Sequence, residues 1–189
     1  MELIRVLNKY DGSPSGQVLP RPMVISQRQW CGTTNIFIIN SKGEVLCHRR
    51  SAEKERLPGV WMSHIGGHVS SEETYEENAK KELMEELGLQ TPPQLIPWRK
   101  TKIDHSCIWV KEFVVFADYE VSKMSPQKGE VDELKWLSPE EITKMASLEP
   151  HGWVAGTHNF MGEYQCMRAA LVAATHSGAV HIPQSMQSW

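Results

Sequence analysis

Short apolar runs broken by turn residues fill most of the chain, and helical spacing emerges in only a few places. Leu3 to Leu7 reads as a short strand, and Asp11-Gly-Ser-Pro-Ser-Gly16 as a turn punctuated by glycine and proline. Thr34 to Ile39 is a strongly apolar strand. Asn40-Ser-Lys-Gly43 suits a hairpin turn, with Glu44 to His48 as the returning strand. Charged residues from Arg49 to Arg56 then form a loop closed by Leu57-Pro-Gly59. Trp61 to Val69 is mostly extended. It contains Gly66 and Gly67, a pair that signals close backbone approach or unusual dihedrals.

From Ser71 to Leu87 the period changes. Tyr75, Ala79, Leu83 and Leu87 form an apolar stripe at i,i+4 spacing; Ser70 and Glu73 are spaced for a capping box, and Gly88 suits a helix stop. Leu95 to Trp98, Ile108 to Tyr119 and Glu133 to Leu137 read as further strands. Ser138-Pro139-Glu-Glu141 combines an N-cap, a proline at the first helical position and early acidic residues, so a short helix to about Met145 is expected. A last helix spans roughly Phe160 to Ala174, and the tail His181 to Trp189 is either loose or docked through its tryptophan. The sum is an α+β chain with a mixed sheet covered by helices.

At 189 residues the chain holds one compact domain, read as 1–189, with 1–30 as an N-terminal extension and 150–189 as a C-terminal helix and tail. A 40% apolar and 23% charged composition fits a soluble globular protein. The formal charge of −3, with no long basic block, argues against a general nucleic-acid binder. Cys31, Cys47, Cys107 and Cys166 form no CxxC pair and read as ordinary thiols of a reducing compartment. No signal-peptide stretch opens the chain, and no apolar run approaches the roughly 18 residues of a spanning helix. Together these point to a cytoplasmic enzyme away from the membrane.

The chemistry concentrates between Gly67 and Leu89. On a helix at about 100° per residue, Glu82 and Glu86 point about 40° apart and Glu85 lies about 60° to the other side of Glu82. Three carboxylates therefore share a face, beside the apolar stripe. Such a cluster repels itself unless a cation compensates, and oxygen ligands suit hard Mg²⁺ or Mn²⁺. A solvated acidic helix face is the plainer alternative on charge alone.

This stretch resembles the Nudix box. That pattern is a glycine, five residues, a glutamate, seven residues, arginine-glutamate, an aliphatic residue, any residue, two glutamates, any residue, glycine and an aliphatic residue. Gly67, Glu73, Glu82, Leu83, Glu85, Glu86, Gly88 and Leu89 occupy its defined positions, and only Lys81 departs, standing where the pattern has arginine. The resemblance implies an α/β/α sandwich with a mixed β-sheet between helices. It also implies divalent metal bound by Glu82, Glu85 and Glu86, and a structural brace between Glu73 and the basic position. Lys81 keeps the charge of that position without the planar fork, so the brace should be looser. Gly67 and Gly88 are read as structural. The substrate class implied is a small molecule with a diphosphate linkage, by default a nucleoside diphosphate derivative. A homodimer is within the family's range, with no interface legible here.

Further segments resemble the branch related to isopentenyl-diphosphate isomerase: Val18 to Arg21, Arg49-Arg50, Leu57-Pro-Gly-Val-Trp61, Gly66-Gly-His-Val69 and Glu130 to Ile142. The likeness covers roughly residues 2 to 145. Yet glycine, Gly66, stands at the position of that enzyme's acid–base cysteine, and no histidine precedes His48 to supply its two upstream metal ligands. Hydrolysis is therefore favoured over isomerisation, and a non-catalytic nucleotide-binding domain is the other alternative.

Around this core the sequence nominates Arg49 or Arg50, and His68, for substrate phosphate, with solvated or structural roles as alternatives. Glu112, in the strand beginning near Ile108, is nominated as a further metal ligand or base on condition that it faces the cleft. Glu130 and Glu133 are expected near it. His64 and the tryptophans Trp61, Trp98 and Trp109 are read mainly as packing residues.

Overall fold

The computed structural model describes residues 1–182. The expected docking of Trp189 lies outside them. Eight strands are formed among the described residues: β1 (Leu3–Leu7), β2 (Pro14–Pro20), β3 (Cys31–Ile39), β4 (Val45–Arg50), β5 (Trp61–Met62), β6 (Ile96–Ile103), β7 (Ile108–Phe116) and β8 (Val131–Leu137). The helices are α1 (Arg21–Ser26), α2 (Tyr75–Leu87), α3 (Pro139–Leu148) and α4 (Phe160–His176).

β3 and β7 pair in parallel from Cys31↔Ile108 to Ile39↔Phe116, while β6 joins β7, and β4 joins β3, β5 and β8, antiparallel. The result is a mixed six-stranded sheet. Strand alternation divides its side chains between two layers. Ile36, Ile38, Leu46, Phe113 and Val115 face α2 and meet Ala79, Leu83 and Leu87. Phe37, Ile39, Val45, Cys47 and Val114 face the other way, onto Ile142 of α3 and Phe160, Met167 and Leu171 of α4. Full burial of Leu83 and Leu87 stabilises by about 1.5–3 kcal/mol each, which anchors α2 against the sheet. The carboxylates on its flank are carried into place by that anchoring.

β1, β2 and α1 form an annex at the edge of this sandwich, with Ile4, Val6, Val24 and Cys31 in a third cluster. The sequence reading finds β1 but not β2 or α1. Proline at both ends of β2 and Gly16 within it disguise a strand whose ladder partner is β1 alone. β3 begins at Cys31, three residues before the expected start, because its parallel register with β7 runs that far. β6 extends to Ile103 through polar residues because its antiparallel pairing with β7 runs to Ile103↔Ile108.

The expected capping box of Ser70 and Glu73 is replaced. Ser70 bridges to Ile4, and the Ser71 amide donates to the Leu3 carbonyl, so this segment is pinned in extended form against β1. The helix starts only at Tyr75. Its box is Thr74, whose Oγ1 accepts from the Glu77 amide at 3.2 Å, and Glu77, whose Oε2 accepts from the Thr74 amide at 2.8 Å. At the other end Gly88 takes a φ of +70° and returns its amide to the Met84 carbonyl. A Cβ there would overlap the Ser125 backbone as well. The second expected helix start holds: Ser138 and Glu141 cap α3 reciprocally. No helix among the described residues is long and apolar enough to cross a membrane. The four cysteines are free thiols.

Candidate active site

The loop from Ile65 to Ser70 lies along β3 and is stitched to it by backbone bonds at Ile65, Gly67 and Val69. Gly66 sits so close to Thr34 that a Cβ would overlap the Thr34 carbonyl oxygen, and a Cβ on Gly67 would overlap the Glu82 carboxylate. The paired glycines let the loop slide between β3 and α2. Asn78, fully buried on α2, ties the same three elements together. It accepts from Thr34 Oγ1 at 2.6 Å and donates from Nδ2 to the His68 carbonyl at 2.9 Å. The sequence reading passes over Asn78. A polar residue adjoining the apolar stripe at Ala79 was the available signal.

Glu73 stands behind this junction. Its Oε2 accepts from the Ser70 amide at 3.2 Å and from Asn78 Nδ2 at 3.2 Å, while its Oε1 lies 2.9 Å from Lys81 Nζ. These hydrogen bonds outweigh its burial and hold its carboxyl below the usual range.

In front of the junction a cavity of about 300 Å³ opens, lined by the carboxylates Glu82, Glu85, Glu86 and Glu130 and by the cations Arg21, Arg50, Lys54 and Lys81. Gly66, Gly67 and His68 form part of its wall. Glu86 is 4% exposed, and its Oε2 has no hydrogen-bond partner among the described residues. Burial, then the nearby Glu82, pushes its carboxyl up to about 8; burial and Glu85 push Glu82 up to about 7. No group of three His, Cys, Asp or Glu side chains among the described residues is preassembled at metal-ligand spacing. The donor set nevertheless fits a hard cation. Three carboxylates converge on one cavity, and a buried carboxylate oxygen is left without a partner, an arrangement that a bound cation would offset.

The two candidate arginines separate cleanly. Alternation along β4 turns Leu46, His48 and Arg50 toward α2, which brings Arg50 to the cavity. Arg49 points to the other side and pairs with Glu133 across the β4–β8 ladder at 3.4 Å. Arg50 hydrogen-bonds the Arg56 carbonyl at 3.3 Å and has no carboxylate partner among the described residues. Lys54, paired with Glu130, and Arg21, paired with Glu2 at 2.9 Å, join it. Neither residue is nominated by the sequence reading, which treats Lys54 as part of a charged loop. A second cavity of about 570 Å³, lined by Arg21, Arg50, Lys54 and Arg56, continues from the first. His68 is held down at about 4, chiefly by burial, so it is a neutral hydrogen-bonding group at pH 7.

Glu112 is a correction. On β7 it follows the parity of Val110 and Val114, so its side chain lies on the α4 side of the sheet, opposite α2. There it is 4% exposed, bonded by Arg99 and by Thr101 Oγ1 at 3.0 Å, and Arg99 continues to Glu163 of α4 at 2.5 Å. The structure does not bring it to the other three glutamates. The tryptophans pack: Trp61 stacks on Trp153, Trp98 meets Phe37 edge-on, and Trp109 donates to the Asn8 carbonyl. His64 lies with its ring 5.5 Å from that of Phe37.

The family profile described as the NUDIX domain matches residues 31–155. The chain is 33% identical over 111 residues to the uncharacterized Nudix hydrolase YfcD of Escherichia coli (strain K12), a match covering 58% of this chain and 60% of that one. It thus spans about three fifths of the length of such relatives. It is 26% identical over 159 residues to the isopentenyl-diphosphate Delta-isomerase of Corynebacterium glutamicum, covering 79% of this chain and 84% of that one. The crystal structure of DR0079 from Deinococcus radiodurans superposes with a TM-score of 0.66 at 23% identity, over 78% of this chain and 90% of that one, a likeness of fold. Both share the mixed sheet flanked by helices of the Nudix α/β/α sandwich.

Proposed function

Since the chain belongs to the Nudix family, we propose that it is a Mg²⁺- or Mn²⁺-dependent hydrolase of a diphosphate linkage in a nucleoside diphosphate derivative or related small molecule. The observation that carries this reading is the gathering, around one cavity, of Glu82, Glu85 and Glu86 with Arg50, Lys54 and Arg21. Carboxylates and cations lining the same cavity suit a ligand that is itself a metal–polyphosphate complex.

Glu82, Glu85 and Glu86 would hold the metal, which when bound neutralises phosphate charge and acidifies water. Arg50 offers its guanidinium to phosphate oxygens by charge-assisted hydrogen bonds, and Lys54 and Arg21 add point charge beside it. These groups are set before substrate arrives, so they orient the anhydride and stabilise charge on the departing phosphate. His68, neutral and lining the same cavity, contributes a hydrogen bond and no charge. Glu85, the exposed member of the trio, is the carboxylate placed to take a proton from attacking water. Gly67 and Gly88, with the Glu73–Lys81 pair, shape the frame that holds these groups.

Isomerisation of isopentenyl diphosphate is the second reading, favoured by the likeness to the Corynebacterium enzyme. Gly66 counts against it, because the position supplies no side chain to move a proton and leaves no room for one beside Thr34.

Product-resolved assays over nucleoside diphosphates, triphosphates, nucleotide sugars and isopentenyl diphosphate, with Mg²⁺ or Mn²⁺, test both. Metal-dependent cleavage lost in Glu86→Gln supports hydrolysis. Solvent proton exchange into isopentenyl diphosphate, without cleavage of any diphosphate, would replace it with the isomerase.

A further inference from the structure

His48 occupies an unusual position for a titratable residue. It lies on β4 between Leu46, which joins the apolar layer under α2, and Arg50, which reaches the cavity. Its side chain is 1% exposed, and neither ring nitrogen has a hydrogen-bond partner among the described residues. Its Nε2 is 3.8 Å from Glu86 Oε2, the buried oxygen that also lacks a partner. Three unpaired polar atoms thus meet in one small volume at the inner end of the acidic cluster. Orphaned buried polar atoms destabilise a fold, and an apolar side chain at this position would remove two of them. Their juxtaposition points to a partnership between the two side chains.

We propose that His48 is a positioning residue for Glu86, donating its Nε2–H to Glu86 Oε2 and thereby aiming the carboxylate at the cation site. The donor and acceptor need to close by less than about 1 Å to reach ordinary hydrogen-bond length. An imidazole protonated at Nε2 has an N–H to give at the atom that faces Glu86. The site would then resemble other metal sites in which a ligating carboxylate is itself held by a buried donor. Nothing in the box spacing points to this residue. It is placed by the β4 register, outside the stretch from Gly67 to Leu89.

The inference rests on the proposed role of Glu86, and the experiment separates the two. Mn²⁺ binding to the metal-free protein is titrated by electron paramagnetic resonance for the unmodified chain, Glu86→Gln, His48→Phe, His48→Gln and the double variant His48→Phe/Glu86→Gln, with folding checked by circular dichroism. Phe fills the volume without a donor, and Gln keeps an N–H near the Nε2 position. The expected result is a loss of roughly 10- to 100-fold in affinity for His48→Phe, recovery to within about threefold for His48→Gln, and no further loss when His48→Phe is added to Glu86→Gln. A packing role would reverse the order of Phe and Gln. Unchanged affinity in His48→Phe, or losses that simply add in the double variant, would overturn the inference. If Glu86→Gln itself binds Mn²⁺ normally, the metal role of Glu86 fails first, and the inference fails with it. Should His48→Phe not fold, His48→Leu removes the donor with a smaller side chain and is held to the same two criteria.

Discussion

Glu73 Oε1 lies 2.9 Å from Lys81 Nζ, joining the loop residue two positions ahead of α2 to its second turn. The same carboxylate holds the Ser70 amide with its other oxygen. One side chain therefore couples the incoming loop, which carries His68, to the helix, which carries Glu82, Glu85 and Glu86. Both partners are partly exposed, so the pair's own contribution to stability is small, on the order of 0–1 kcal/mol. Its consequence should appear in activity. Glu73→Gln is expected to lower kcat roughly tenfold while moving Tm by only a few degrees. Lys81→Arg, which restores a planar fork, is expected to keep or slightly raise both. A variant Glu73→Gln with full kcat would show that the pair braces nothing.

The adjacent glycines should fail in different ways. In Gly66→Ala the new methyl meets the Thr34 backbone, which cannot yield, and a loss on the order of 3 kcal/mol or more is expected in urea unfolding. In Gly67→Ala it meets the end of the Glu82 side chain, which can swing aside. That variant is expected to unfold near the unmodified midpoint yet bind Mn²⁺ about tenfold more weakly. Equal destabilisation of the two would contradict the close approaches described.

Metal-free stability should fall as pH rises above neutrality. Glu86 is pushed up to about 8 and Glu82 to about 7, so the folded state binds protons that the unfolded state has released. Stability from these two groups is full below about pH 4.5 and is lost as pH climbs through their folded values. His48, His64 and His68 are held down at about 3 to 4 by burial, so their effect runs the opposite way and is confined to pH below about 6.5. Between pH 6.5 and 8 these carboxylates dominate; the buried thiols Cys31 and Cys47, also pushed up by burial, add to the loss only as pH approaches about 9. Denaturant titrations in chelator should show a loss on the order of 2 kcal/mol over that interval. The loss should shrink in Glu86→Gln and in saturating Mg²⁺. A flat profile for the unmodified metal-free protein would mean that the cluster is not desolvated.

Glu112→Gln distinguishes a structural carboxylate from a ligand. Removing its charge leaves the Arg99 link to α4 weakened, and a destabilisation on the order of 1–3 kcal/mol is expected. Mn²⁺ affinity and kcat are expected within about threefold of the unmodified chain. A drop in Mn²⁺ affinity comparable to that of Glu86→Gln would return Glu112 to the site.

What the sequence determined by itself was local. The period of Tyr75, Ala79, Leu83 and Leu87 is enough to make α2, and the spacing of Glu82, Glu85 and Glu86 is enough to put them on one flank, because both follow from helix geometry within four residues. Gly88 and the Ser138 cap are legible for the same reason. Tertiary structure decided everything that depends on which face of the sheet a side chain takes. A strand's parity is invisible until its register is known, and register sends Arg50 to the cavity and Arg49 away, turns Glu112 toward α4, and sets His48 against Glu86. It decided the helix start too: the pairing of Ser70 and Ser71 with β1, more than sixty residues earlier, overrides a capping box that local spacing favours.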